Sequence, residues 1–166
     1  MKKINVIGYS GSGKTYLIKK FIQRLKNELN LESAVIKNIH DHQIDKEGKD
    51  SFIYTKKGAN YAITKNIYDE TTIFLKKKVN IENLLEWISK GPFKVNIVFI
   101  EGFRNLNIPT ILCLKTMDKY KEQINENVRV ISGKISIITD KKKIDNLPVI
   151  NIENSFNKFI EIFNIV

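Results

Sequence analysis

The chain has 166 residues, 42% of them apolar and 28% charged, the make-up of an ordinary globular chain long enough for one domain, residues 1–166, with a substantial core. No apolar run approaches the length that crosses a bilayer, and Met1-Lys2-Lys3 opens like a signal peptide without an h-region behind it, so a cytoplasmic location is expected and a membrane partner is not. The formal charge of +10 invites a nucleic-acid reading, but only three arginines (Arg24, Arg104, Arg129) accompany the lysines, whose runs at 56–57, 76–78 and 141–143 are short and scattered. Attraction of small anionic substrates is the useful remainder, and no nucleic acid is expected.

Residues 3–8 read as a first strand, apolar enough to lie buried at the centre of a parallel sheet. Directly behind it, Gly8-Tyr9-Ser10-Gly11-Ser12-Gly13-Lys14-Thr15 fits G-x-x-x-x-G-K-[ST], the phosphate-binding loop. Its glycines let successive N–H groups turn inward on a phosphate, Lys14 reaches the β/γ-phosphates, and the Thr15 hydroxyl belongs on a bound Mg²⁺. Leu17, Ile18, Phe21, Ile22, Leu25 and Leu29 then form one stripe of an amphipathic helix.

Ser33–Lys37 reads as the second strand, followed by a polar loop ending near Asp50, which is placed to cap a short helix through Gly58. Residues 61–64 and 71–75 read as strands joined by a turn. Ile81, Leu84, Leu85 and Ile88 keep helical spacing behind an Asn80 cap, and Gly91-Pro92 stops that helix. Residues 95–100, 108–114, 128–131 and 135–139 read as four further strands, with Cys113 a buried small hydrophobe inside its run. A final helix carries Phe156, Phe159, Ile160 and Phe163, capped near Asn154 or Ser155. The rhythm predicts an α/β, three-layer, doubly wound fold of the P-loop NTPase kind: a mostly parallel central sheet flanked by helices, plus extra antiparallel strands.

Two more segments carry chemistry. Glu101 ends an apolar strand and precedes Gly102, where a carboxylate helps to hold Mg²⁺ or its waters opposite Thr15. The loop at 37–51 holds both histidines of the chain, His40 and His42, with three aspartates, and follows the second strand at the carboxyl edge of the sheet. Adjacent positions such as His40, Asp41 and His42 rarely close a metal shell without a distant ligand. Contact with a second substrate, or with phosphate through Lys37 and Lys49, is the better reading.

Taken together, the phosphate loop, Val35-Ile36-Lys37, Asp45-Lys46-Glu47-Gly48-Lys49-Asp50-Ser51, Lys57-Gly58-Ala59 and Val98-Phe99-Ile100-Glu101-Gly102-Phe103-Arg104 resemble the molybdopterin-guanine dinucleotide biosynthesis protein B (MobB) family. The likeness is close over about residues 3–115, with Asn38 where the family usually has His and Glu47 where it often has Pro. The resemblance implies a P-loop GTPase-like homodimer that binds GTP with Mg²⁺. It also implies an accessory role beside the guanylyltransferase that attaches GMP to molybdopterin. Lys14, Thr15, Lys49, Asp50 and Glu101 carry over position by position, the nucleotide site being Gly8, Ser10, Gly11, Ser12, Gly13, Lys14, Thr15, Lys37, Lys49 and Asp50. Lys14, Glu101 and Arg104 are the candidate catalytic groups of what is at most a slow GTPase.

A P-loop small-molecule kinase is the alternative, although such enzymes clamp the transferring phosphoryl group with several basic side chains and only Arg104 is suitably placed. A dimerising ATPase would carry a second Lys near the start of the loop, where this chain has Tyr9. No N-K-x-D segment is present, so GTP rather than ATP follows from resemblance. Asp140, at the end of the strand expected at 135–139, is the candidate for reading the base edge.

Overall fold

The computed structural model describes residues 1–166. Two compact units are present, one formed by Met1–Asn38 with Trp87–Val166 and the other by Ile39–Glu86. The first unit is built on strands β1 (Lys2–Ile7), β2 (Ser33–Lys37), β5 (Ile97–Glu101), β6 (Thr110–Cys113) and β7 (Val128–Ser132), arranged in the order β2-β5-β1-β6-β7 and parallel throughout. The apolar β1 lies at the centre, in register with β5 from Lys2↔Ile97 to Val6↔Glu101 and with β6 from Asn5↔Thr110 to Ile7↔Leu112. Its carboxyl end is therefore flanked by the ends of both neighbours, the crevice in which open α/β sheets bind ligands.

One face of the sheet presents Ile4, Val6, Ile97, Phe99, Ile111, Cys113 and Val130 to helices α1 (Lys14–Leu29) and α5 (Phe156–Ile162). Leu17, Ile18, Phe21 and Leu25 of α1 are buried there, the stripe that the sequence periodicity predicts. Phe21 anchors the layer, with ring centroids 5.3 Å from Phe99 and 4.9 Å from Phe159. On the other face Ile7, Leu112, Leu114, Val128 and Ile131 pack with Tyr120, Ile135 and Ile144.

The second unit holds α2 (Asp50–Lys56) and a hairpin of β3 (Ala62–Lys65) and β4 (Thr71–Phe74), antiparallel with Ile63 opposite Ile73. Helix α3 (Ile81–Lys90) starts where expected, with Asn80 Oδ1 accepting from the Asn83 amide at 2.8 Å, and stops before Gly91-Pro92.

Two expectations are corrected, and one element is added. Residues 135–139 do not form a strand: Ile135–Ile138 make a one-turn helix, α4, in which only Ile135 is buried. Gly133 turns the chain out of β7, and the Ser136 hydroxyl donates to the Gly133 carbonyl at 2.7 Å, closing a helical turn that β-branched composition does not foresee. Asp50 is the first helical residue of α2 rather than its cap, since Lys49 occupies the cap position and no side chain bonds there. A hairpin of two-residue strands, β8 (Lys143–Ile144) and β9 (Leu147–Pro148), turns through Asp145 and Asn146, both in left-handed conformation.

Candidate functional site

The loop between β1 and α1 is formed by contacts from two other strand ends. A Cβ at Gly8 would lie 2.2 Å from the Cys113 carbonyl oxygen at the end of β6, so no side chain fits there. A Cβ at Gly133, just past β7, would lie 2.3 Å from the Ser12 carbonyl oxygen, which the Lys134 amide bonds at 3.0 Å. Gly133 is therefore part of the phosphate loop's seat. The sequence shows the residue but not the need for it, because the loop that it meets is distant along the chain.

Gly13 is the N-cap of α1, with no side chain bonded to the first-turn amides and no acidic residue in the first turn. The amide donors and the positive end of a 16-residue helix are thus left uncapped, the arrangement that favours an anion. Lys14 Nζ donates to the carbonyls of Gly8 at 2.9 Å and Tyr9 at 3.1 Å, so the ammonium arches over the loop and stands where phosphate oxygens would replace those carbonyls. Ser12 is buried with its Oγ unpaired in the cradle, Thr15 is exposed at the start of α1, and Ser10 and Gly11 form the exposed crest.

Glu101 ends β5 beside Val6 of β1 and is 6% exposed. Lys37, at the same level of β2, places its Nζ 3.9 Å from Glu101 Oε1. The segment behind Glu101 is tied down: Gly102 N–H donates to Val6 at 3.1 Å, Asn38 N–H to Glu101 at 2.9 Å, and Asn5 Nδ2 to the Phe103 carbonyl at 2.9 Å. Asn5, fully buried between Ile4 and Val6, is a positioning residue that hydropathy alone does not single out.

Arg104 is brought to the loop through Tyr9. Its guanidinium lies 4.6 Å from the centre of the Tyr9 ring, Lys119 Nζ 5.2 Å from it, and the Tyr9 hydroxyl donates to Glu122 at 2.9 Å. Cys113 is fully buried, which pushes its thiol up to about 12, so it is a neutral packing residue beneath Gly8.

The structure brings together Gly8, Ser10, Gly11, Ser12, Gly13, Lys14 and Thr15 on one loop, with Glu101 and Lys37 on neighbouring strand ends. Lys49 and Asp50 lie at the start of α2 in the second unit, exposed. His40, Asp41 and His42 are exposed, and no group of three or more His, Cys, Asp or Glu side chains converges as a metal site. Asp140 follows a helical turn and is exposed, so the strand end proposed for base reading does not exist.

Comparison with known proteins places this geometry. The family model described as molybdopterin guanine dinucleotide synthesis protein B (MobB) matches residues 3–140. The chain belongs to the MobB family. It is 32% identical over 149 residues to the molybdopterin-guanine dinucleotide biosynthesis adapter protein of Haemophilus influenzae, covering 86% of this chain and 80% of that one. A Methanocaldococcus jannaschii protein, provisionally designated as such an adapter, is 37% identical over 123 residues, 71% of this chain. The match takes in 49% of that relative, so the chain spans about half its length. The crystal structure of Bacillus subtilis MobB superposes with a TM-score of 0.75 at 18% identity over 98% of both chains, which shows the P-loop NTPase-like fold. No helix is long and apolar enough to cross a membrane.

Proposed function

We propose that this protein binds GTP with Mg²⁺ and assists, as an adapter in molybdenum cofactor biosynthesis, the guanylyltransferase that converts molybdopterin to its guanine dinucleotide form. One observation carries the reading: a phosphate loop already closed, with an uncapped helix start and Lys14 arched over it, in a chain of this family. The cradle fits a triphosphate because the loop's carbonyls are turned to Lys14 and its seat leaves no room for side chains at Gly8 or Gly133. Thr15 and Glu101 are the residues that would hold Mg²⁺ or its waters, with Lys37 balancing the carboxylate; the ion supplies charge neutralisation between phosphate oxygens. Lys49 and Asp50 are carried over as ligand contacts from the family motif.

Arg104 is held on Tyr9 by a cation–π contact that costs little to break, so it is available to a developing charge once a partner or the pterin is bound. Without that help the protein hydrolyses GTP far below the roughly 1–100 s⁻¹ of kinases. The reading includes a cytoplasmic location and a homodimer. The hairpin leaves Ile63 64% exposed and Tyr68 78% exposed, an apolar face suited to a second copy. Light scattering should then give about twice the 19.3 kDa chain mass.

The deciding experiment is guanylylation of molybdopterin by the partner enzyme, with wild type, Arg104→Ala or Lys49→Ala added. Both variants should lower product formation more than they lower GTP affinity. Rapid phosphorylation of a small metabolite by the protein alone would replace this reading with a kinase.

A further inference from the structure

Beside the phosphate loop lies an open cavity of about 270 Å³. Gly13 and Tyr16 form one wall, Gly133, Lys134 and Ile137 a second, and Asn151 with Ile152 a third. Gly13 belongs to the phosphate nest itself, so a nucleotide whose phosphates occupy the nest has this cavity within reach of its sugar and base. The walls are mainly apolar with few polar groups, the character of a small-molecule site, and the volume is near the lower end for one.

Of the polar side chains on the walls, two keep a donor free. Ser132 and Ser136 spend their hydroxyl protons on the carbonyls of Ile150 and Gly133 at 2.7 Å each. Asn151 Oδ1 accepts from the Glu153 amide at 3.0 Å, which fixes the flip of the side chain and leaves Nδ2 to donate. Lys134 is exposed and its ammonium makes no hydrogen bond or ion pair. No carboxylate lines the cavity, and Glu153, the residue after Ile152, is already bonded by Tyr16 and Lys20.

We infer that this cavity is the nucleobase site, and that Lys134 with Asn151 reads the O6/N7 edge of guanine instead of a carboxylate reading its N1/N2 edge. Guanine offers two acceptors on the O6/N7 edge, where adenine offers one acceptor and an amino donor that faces Lys134 unfavourably. This rests on the phosphate-loop reading above and adds the origin of its base preference. It also replaces Asp140, which is not among the lining residues.

The test is calorimetry of the whole protein with GTP, ITP, ATP and inorganic tripolyphosphate, each affinity read as a ratio to tripolyphosphate. GTP and ITP, which share O6 and N7, should bind alike, and ATP about tenfold more weakly. Lys134→Met should bring the GTP/ATP ratio near one, and Asn151→Asp, which supplies an acceptor, should move it toward ATP. ITP binding far more weakly than GTP would show that the N1/N2 edge is read and overturn the inference. So would nucleotides that bind no better than tripolyphosphate, or a GTP/ATP ratio unmoved by Lys134→Met. Failure of tripolyphosphate and every nucleotide to bind would remove the phosphate-loop reading and this inference with it.

Discussion

The phosphate loop and the loop at 39–51 both follow a parallel strand, and both are polar and contain glycine, yet the chain holds them in different ways. The first is seated by backbone: Lys134 N–H bonds Ser12, Leu114 N–H bonds Ser132, and Gly8 abuts the Cys113 carbonyl. The second has one internal backbone bond, Lys49 N–H to Lys46 at 3.3 Å, and otherwise side-chain ties: the Ser51 hydroxyl donates to Asp45 Oδ1 at 2.9 Å and Lys56 pairs with Glu47 at 3.8 Å on the surface. Most of its residues are exposed. The difference teaches a division of labour. Under the proposed function, a nest for an invariant anion is preformed, so binding would cost little reorganisation, whereas a loop that would meet a partner keeps its charged side chains in solvent.

Matched glycine substitutions break that comparison most strongly. Gly8→Ala should cost about 3 kcal/mol or more of stability, since the new Cβ meets the Cys113 carbonyl at 2.2 Å and Ser12 Oγ at 2.7 Å. Gly48→Ala, at φ +89 with nothing within 4 Å of the new Cβ, should cost only about 1 kcal/mol of backbone strain. Denaturant midpoints of the two variants check the pair; equal losses would mean that the phosphate loop is no more firmly seated than the other.

Next in size is Glu101, proposed to hold Mg²⁺ or its waters. Glu101→Gln should raise the Mg²⁺ concentration for half-maximal GTP binding by on the order of fivefold, a water-bridged contact to a divalent ion being weakened rather than removed. An unchanged Mg²⁺ titration would leave Glu101 as a buried partner of Lys37 alone.

On the exposed side, Asp45→Ala removes the Ser51 bond and should cost about 1 kcal/mol in the second unit, read by hydrogen exchange across α2, with GTP affinity unchanged. The smallest effect concerns acid. A hydrogen bond from Tyr16, then one from Lys20, holds the Glu153 carboxyl below its ordinary 4.5. Its contribution is therefore present above the ordinary value and lost as pH falls through the lower folded value. Glu153→Gln should lower stability slightly at neutral pH, and the difference from wild type should fade as pH falls below 4.5.

Much of this was legible in the sequence because the signals were local. The glycine spacing of 8–13 specifies its own turn, and the stripe from Leu17 to Leu29 specifies its own buried face. What escaped depends on distant contacts. Gly133 looks like an ordinary turn residue until Ser12 is placed against it. Ile137 and Ile138 look like a buried strand, yet they are 68% and 70% exposed, because the turn at Gly133 takes the chain off the sheet. Arg104 stands out in the sequence from its place after Glu101-Gly102, but its seat on Tyr9 is visible only in the fold. The hairpin of β8 and β9 has two residues per strand, too few for alternation to register.

The central claim, that the preformed loop is a triphosphate site governed by Lys14, is tested most directly by titrating GTP with Mg²⁺ into wild type and Lys14→Ala in a calorimeter. The account predicts saturable binding to wild type and a loss of about 1.5–3 kcal/mol in the variant, with its fold intact because Lys14 bonds only carbonyls of its own loop. Equal affinities for the two proteins, or no binding to wild type, would contradict it.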